Sequence, residues 1–202
     1  MKKIALLAVL ALSLAFVAQA QTADALWADL MAGNARYVEG HLDYCAINHL
    51  RNATAGGQQP PTAILSCADS RVPAELVFDR SVGELFVVRV AGNVDDPFNI
   101  ASLEYSVSKG WTRLIVVMGH SECGAVSASL PVPVENKPTV SLYQLIRRIR
   151  ASFTTENPDL RAATIMNINY TAQRLQENTT IGKVPIVKAY YDVATGKVER
   201  LP

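Results

Sequence analysis

The chain has 202 residues, with 19 Lys and Arg against 18 Asp and Glu, a formal net charge of +1, and half of its residues hydrophobic. That length suits one domain with a buried core and is short for two. A charge this close to zero excludes a global field for nucleic acid, an anionic membrane or a highly charged substrate, so a small molecule is the expected partner.

In chain order, residues 1–20 combine a basic start (Lys2, Lys3), an apolar run over residues 4–18 and a small-residue ending, Ala18-Gln19-Ala20. This is the layout of a secretory signal peptide, and the run is too short to span a bilayer comfortably. The Ala-rich core points to bacterial export, a periplasmic location and a mature domain over residues 21–202. A membrane anchor is the alternative. After cleavage no membrane association is expected, since no other stretch is apolar enough to span.

Residues 25–38 carry Leu26, Trp27, Leu30, Met31 and Val38 at helical spacing, with Gly40 placed to end the helix. The Gly, Gln and Pro content of residues 52–61 predicts a loop. Strand-length apolar runs follow at 62–66, 85–90, 113–118 and 184–191, with helical patterns at 99–109, 141–152 and 159–177. Gly196, between Tyr191 and Val198, predicts a hairpin onto a short edge strand. Nearly continuous apolar strands are buried on both faces. The expected fold is therefore α/β, a mainly parallel central β-sheet flanked by helices, with an N-terminal helical arm. In such sheets ligands collect where loops leave the carboxyl ends of the strands.

Three cysteines, an odd number, do not suit a disulfide framework in an oxidising compartment. Cys45 stands alone and reads as a partly buried free thiol. The other two sit in chemical clusters, Cys67-Ala68-Asp69-Ser70-Arg71 and Gly119-His120-Ser121-Glu122-Cys123-Gly124, each at a strand end. Two thiolates and an imidazole match the three protein ligands of a catalytic Zn2+ site that keeps a fourth position for water. A Cys67–Cys123 disulfide is the structural alternative. Arg71 can hold the Asp69 carboxylate ionised and aim it at the metal or its water, although a surface ion pair of little consequence fits the same spacing. Glu122 reads as a solvated residue at a helix start.

Together with Arg89-Val90-Ala91-Gly92-Asn93 and Ser102-Leu103-Glu104-Tyr105, these two clusters resemble the β-class carbonic anhydrases. The likeness runs from about Gly57 through Gly124 and resumes over residues 189–198. It implies Zn2+ held by Cys67, His120 and Cys123, with Asp69 and Arg71 as catalytic dyad and Asp69 as a conditional fourth ligand. It further implies bicarbonate oriented by Gln58 and the Gly124 backbone N–H, and reversible hydration of carbon dioxide to bicarbonate and a proton. The implied assembly is a homodimer or higher homo-oligomer with active sites at the subunit interface. In it the N-terminal helix would wrap a neighbour, and Phe86 or Tyr105 would line a shared pocket. Ile64 stands where a bicarbonate-inhibited subgroup has Trp, so no inhibitory pocket of that kind is expected. Two other functions stay open on the same residues: hydrolysis of carbonyl sulfide or carbon disulfide, and a zinc or redox module without turnover.

Overall fold

Two strands that are hydrophobic on both faces organise the molecule. In the computed structural model, which describes residues 21–43, 47–131 and 138–202, β1 (Thr62–Ser66) and β3 (Leu114–His120) are buried along their whole length. They pair in parallel, Thr62 opposite Leu114 and Ser66 opposite Met118. Around them β2 (Leu85–Arg89), β4 (Ile186–Tyr191) and β5 (Val198–Arg200) complete one sheet in the order β2-β1-β3-β4-β5. All pairings are parallel except β4 with β5, which the turn at Gly196 folds back. The predicted mainly parallel sheet and edge hairpin are both present.

Alternate residues of the strands serve two cores, because successive side chains point to opposite faces. Ile64, Val116, Met118, Val187 and Tyr191 pack with Leu26, Trp27 and Leu30 of α1 (Ala23–Glu39) and with Val77 of α3 (Ala74–Val77). Ala63, Leu65, Ile115, Val117 and Tyr190 pack with Leu103 of α4 (Pro97–Ser108) and with Ile168, Ala172 and Leu175 of α7 (Leu160–Gln176). The remaining helices are α2 (Ile47–Thr54), α5 (Gly124–Ser127) and α6 (Val140–Arg150).

Local chemistry explains the ends of α1. Thr22 Oγ1 accepts the Ala25 N–H at the start. At the finish the N–H groups of Gly40 and His41 return to the carbonyls of Tyr37 and Arg36, with Gly40 left-handed. The arm is docked on its own chain. Burial of Leu26, Trp27 and Leu30, at roughly 2 kcal/mol each, holds it against its own sheet.

Several elements differ from the sequence reading. β3 continues to His120, because Gly119 and His120 pair with Tyr190 and Tyr191, so this histidine lies within the strand and not after it. β4 begins at Ile186, since Pro185 has no N–H to give a ladder and residues 181–183 form a 3-10 turn. Part of the predicted loop over 52–61 is the last turn of α2. The four-residue helices α3 and α5 are too short to show periodicity. Cys45 and residues 1–20 lie outside the described residues.

Asn34 ties the arm to the rest of the fold. Its buried amide donates to the carbonyls of Val77 and Gly196 and accepts the Val198 N–H, at 2.8–3.0 Å. Replacing it leaves three buried backbone groups unpaired, so Asn34→Ala should destabilise the chain by about 3 kcal/mol. Urea unfolding would show a lower midpoint at unchanged slope; a loss below about 0.5 kcal/mol would mean that water replaces the amide.

Candidate metal centre

The strand order creates the site. From β1 the chain moves outward to β2, then returns past β1 to lay down β3 on its other side, so the connections diverge at the carboxyl ends of β1 and β3. Such a switch point opens a crevice between the departing loops. Cys67 directly follows β1, and His120 ends β3 next to it.

Two hydrogen bonds fix the second loop. The Ser121 N–H donates to the Tyr191 carbonyl, and Ser121 Oγ accepts the Val193 N–H, which ties the loop to β4. Glu122 is left-handed at φ 54, a reversal that brings Cys123 back toward the strand as the residue capping α5. Its side chain is exposed, as expected, while its carbonyl faces inward to Arg71.

The Cys67 and Cys123 sulfurs and a His120 ring nitrogen all lie within 4.8 Å of one another, and all three residues are buried. Both cysteines are free thiols, so the disulfide alternative is not realised. His120 Nδ1 lies 2.8 Å from the Ser121 carbonyl, which can only accept, so Nδ1 carries the proton. Nε2 therefore presents a bare lone pair, buried and without a partner. A buried acceptor left unpaired costs about 1–3 kcal/mol, and here it faces two sulfurs. The donor set and the orphaned nitrogen fit a soft or borderline divalent cation such as Zn2+.

The sulfurs share their charge unequally. The Cys67 thiol is pushed well below its ordinary range, chiefly by the hydrogen bond from Cys123, with help from the N–H groups of Asp69 and Gly92, against the opposing effect of burial. Cys123 is pushed up by the same partner and by burial. The pair thus behaves as one thiolate and one thiol. A dication between them would hold both deprotonated.

Beside the sulfurs stands an ion pair. Arg71 donates from Nε and Nη2 to the two oxygens of Asp69, at 3.0 and 2.8 Å, and the Arg71 backbone N–H adds a third bond at 2.9 Å. The guanidinium holds the Asp69 carboxyl far below the usual carboxylate range. Asp69 Oδ2 is 3.9 Å from His120 Nε2, so the carboxylate borders the space that the three ligand atoms enclose. Its place here is in the dyad; to become a fourth ligand it must leave Arg71. The same guanidinium bonds the Glu122 carbonyl at 3.0 Å and joins the two sequence clusters.

Gly124 opens α5 directly after Cys123. Gln58 is elsewhere. It is exposed, at the opposite end of β1 from Cys67, in a hollow of about 850 Å3 lined by Thr54, Gly83, Tyr105 and Trp111. Within one chain the fold does not bring it to the ligand group. Arg89, which opens one of the sequence blocks, has a role that sequence reasoning did not assign: its Nε and Nη2 bond the carbonyls of Cys67 at 3.0 Å and Asp69 at 2.6 Å and brace the ligand loop. The block marks the residue but not this role, because which distant carbonyls a guanidinium meets is not a local property. Ile64, where the inhibited subgroup has Trp, is fully buried within β1.

Comparison with known proteins agrees with this geometry. Residues 62–198 match the family model described as carbonic anhydrase. The carbonic anhydrase of Mycolicibacterium smegmatis is 35% identical over 188 residues, covering 87% of this chain and 91% of that protein. Carbonic anhydrase 2 of Mycobacterium tuberculosis is 46% identical over 108 residues, and the match spans about half of its length, 52%. Among solved structures, tetrameric β-carbonic anhydrases from Sordaria macrospora superpose with a TM-score of 0.67 at 23% identity, covering 88% of this chain and 97% of theirs, a likeness of fold.

Metal analysis of the purified chain should find about one ion per chain. Cys67→Ala, which leaves two ligands, should lose most of it on gel filtration. Full retention in that variant would remove Cys67 from the ligand set.

Proposed function

Since the chain belongs to the carbonic anhydrase family, we propose that it is a zinc-dependent β-class enzyme that catalyses the reversible hydration of carbon dioxide to bicarbonate. The observation that carries this reading is the buried Cys67, His120 and Cys123 group with its unpaired His120 Nε2, bordered by the Asp69–Arg71 pair. When bound, Zn2+ supplies the Lewis acidity that makes water nucleophilic near neutral pH.

The residues of the chain contribute orientation and charge. Arg71 keeps Asp69 ionised, so Oδ2 is an acceptor that aligns the attacking water and excludes a second proton. His120 is held by the Ser121 carbonyl in the tautomer that presents Nε2. By the family resemblance, the Gly124 N–H is the group that holds the anionic product. Free cysteines at positions 67 and 123 favour this reading over a redox module. The intact Asp69, Arg71 and Gln58 favour carbon dioxide over carbonyl sulfide or carbon disulfide.

Gln58 can serve such a site only from another copy of the chain. The reading is therefore of a homodimer or higher homo-oligomer, and apolar side chains exposed on α4 and α6 support it: Phe98 is 85% and Val140 79% accessible, with Tyr105, Leu142 and Tyr143 about half. For residues 1–20 the proposal remains a bacterial export signal that leaves a periplasmic domain over residues 21–202. Its support is the charge and hydropathy layout of the sequence. Among the described residues no helix is long and apolar enough to cross a membrane.

Stopped-flow assays should show carbon dioxide hydration that disappears on chelation and returns with Zn2+, with no sulfide released from carbonyl sulfide. Arg71→Ala should lower kcat about 10–100-fold at full zinc content; unchanged turnover would remove the dyad from the mechanism. Light scattering should find at least a dimer, and Phe98→Glu should give a folded, zinc-loaded monomer with little activity. A fully active monomer would refute the shared site.

A further inference from the structure

The Cys67 sulfur receives two backbone N–H groups, from Asp69 at 3.4 Å and from Gly92 at 3.3 Å. The first belongs to the ligand loop itself. The second reaches across from the turn after β2, where Gly92 adopts φ 69, a left-handed conformation that glycine reaches without strain. A Cβ there would stand 2.7 Å from Ile149 Cδ1, so the peptide is packed against α6 as well.

One side chain holds Gly92 from its other side, at the next peptide unit. Asn167 on α7 is fully buried and donates from Nδ2 to the Gly92 carbonyl at 2.7 Å. Its Oδ1 has no partner, and neither has Thr171 Oγ1, one turn further along the same buried face. A buried amide that makes a single bond is an expensive choice for packing alone, because the unpaired oxygen costs about 1–3 kcal/mol. That one bond goes to the residue whose N–H touches a ligand sulfur.

We propose that Asn167 is a positioning residue for the metal centre, holding Gly92 so that its N–H hydrogen-bonds Cys67 Sγ and limits how much charge that sulfur donates to the metal ion. The inference rests on the metalloenzyme reading above and adds to it a source of tuning on α7, remote in sequence from Cys67. A hydrogen bond to a thiolate stabilises its lone pairs. The metal then remains the stronger Lewis acid, which a site with two thiolates needs more than one built from imidazoles.

Cobalt(II)-loaded protein tests this, because its thiolate-to-cobalt charge-transfer band reports the energy of the sulfur lone pairs and is insensitive to stability as such. Asn167→Asp keeps the shape and replaces the donor with an acceptor; Asn167→Ala removes the group. Both should move the band to lower energy, and in the zinc form lower kcat about 10-fold with KM unchanged. Thr171→Val, which alters the same helix face without a hydrogen bond to lose, should leave band and kcat in place. Wild-type band and kcat in both Asn167 variants, or an equal shift in Thr171→Val, overturns the proposal. The unmutated chain gives a second measurement: loaded with NMR-active cadmium, its Gly92 amide proton should couple to the metal through the Cys67 sulfur. Absence of that coupling also overturns the proposal. A wild-type protein that binds cobalt without any thiolate band would instead refute the ligand set itself, and this inference with it.

Discussion

The parallel pairing of β1 with β3 is the constraint on which the site depends. With Ser66 in register with Met118, the two chains leave the sheet side by side, and a cysteine and a histidine 53 positions apart become neighbours. Both strands are wholly buried, so a slip of one residue would turn every side chain to the opposite core. His120 would then leave the crevice. The hydrophobic pattern that builds the sheet is thus also what aligns the ligands.

Charge is the second constraint. The two sulfurs lie among Val94, Val126, Ile149 and Ala163, surroundings in which an unpaired anion is costly. Backbone N–H groups and the cation that the group fits offset that cost. The carboxylate is kept at the edge, with its side chain 18% exposed, where a guanidinium can neutralise it. Arg71 and Arg89 act in a shared way: each reaches from the rim to backbone carbonyls, Arg71 to Glu122 and Arg89 to Cys67 and Asp69, so the loops that carry the ligands are braced from outside.

The same sheet carries a second cluster at its other end. Gln58, Tyr105 and Trp111 gather where the strands begin, away from the sulfurs. On the reading proposed here, that end of one copy completes the site of another, which gives a reason for the apolar side chains left uncovered on α4 and α6. α1 plays no such part through its buried face, because Leu26, Trp27 and Leu30 are already committed to its own sheet.

Much of this was legible in the sequence because it is local. The apolar runs along β1 and β3, the helical pattern that became α7, the hairpin at Gly196 and the two clusters that carry Cys67, Asp69, Arg71, His120 and Cys123 each announce themselves within a few residues. Residue chemistry also determined which atoms could hold a metal. Only the tertiary structure decided that the sulfurs meet the imidazole while Gln58 does not, that His120 lies inside its strand, and that Arg89, Gly92 and Asn167 surround Cys67. Those relations arise from strand register and from bonds between residues 22 to 75 positions apart, and a linear pattern carries no record of which distant backbone carbonyl or amide a side chain will meet.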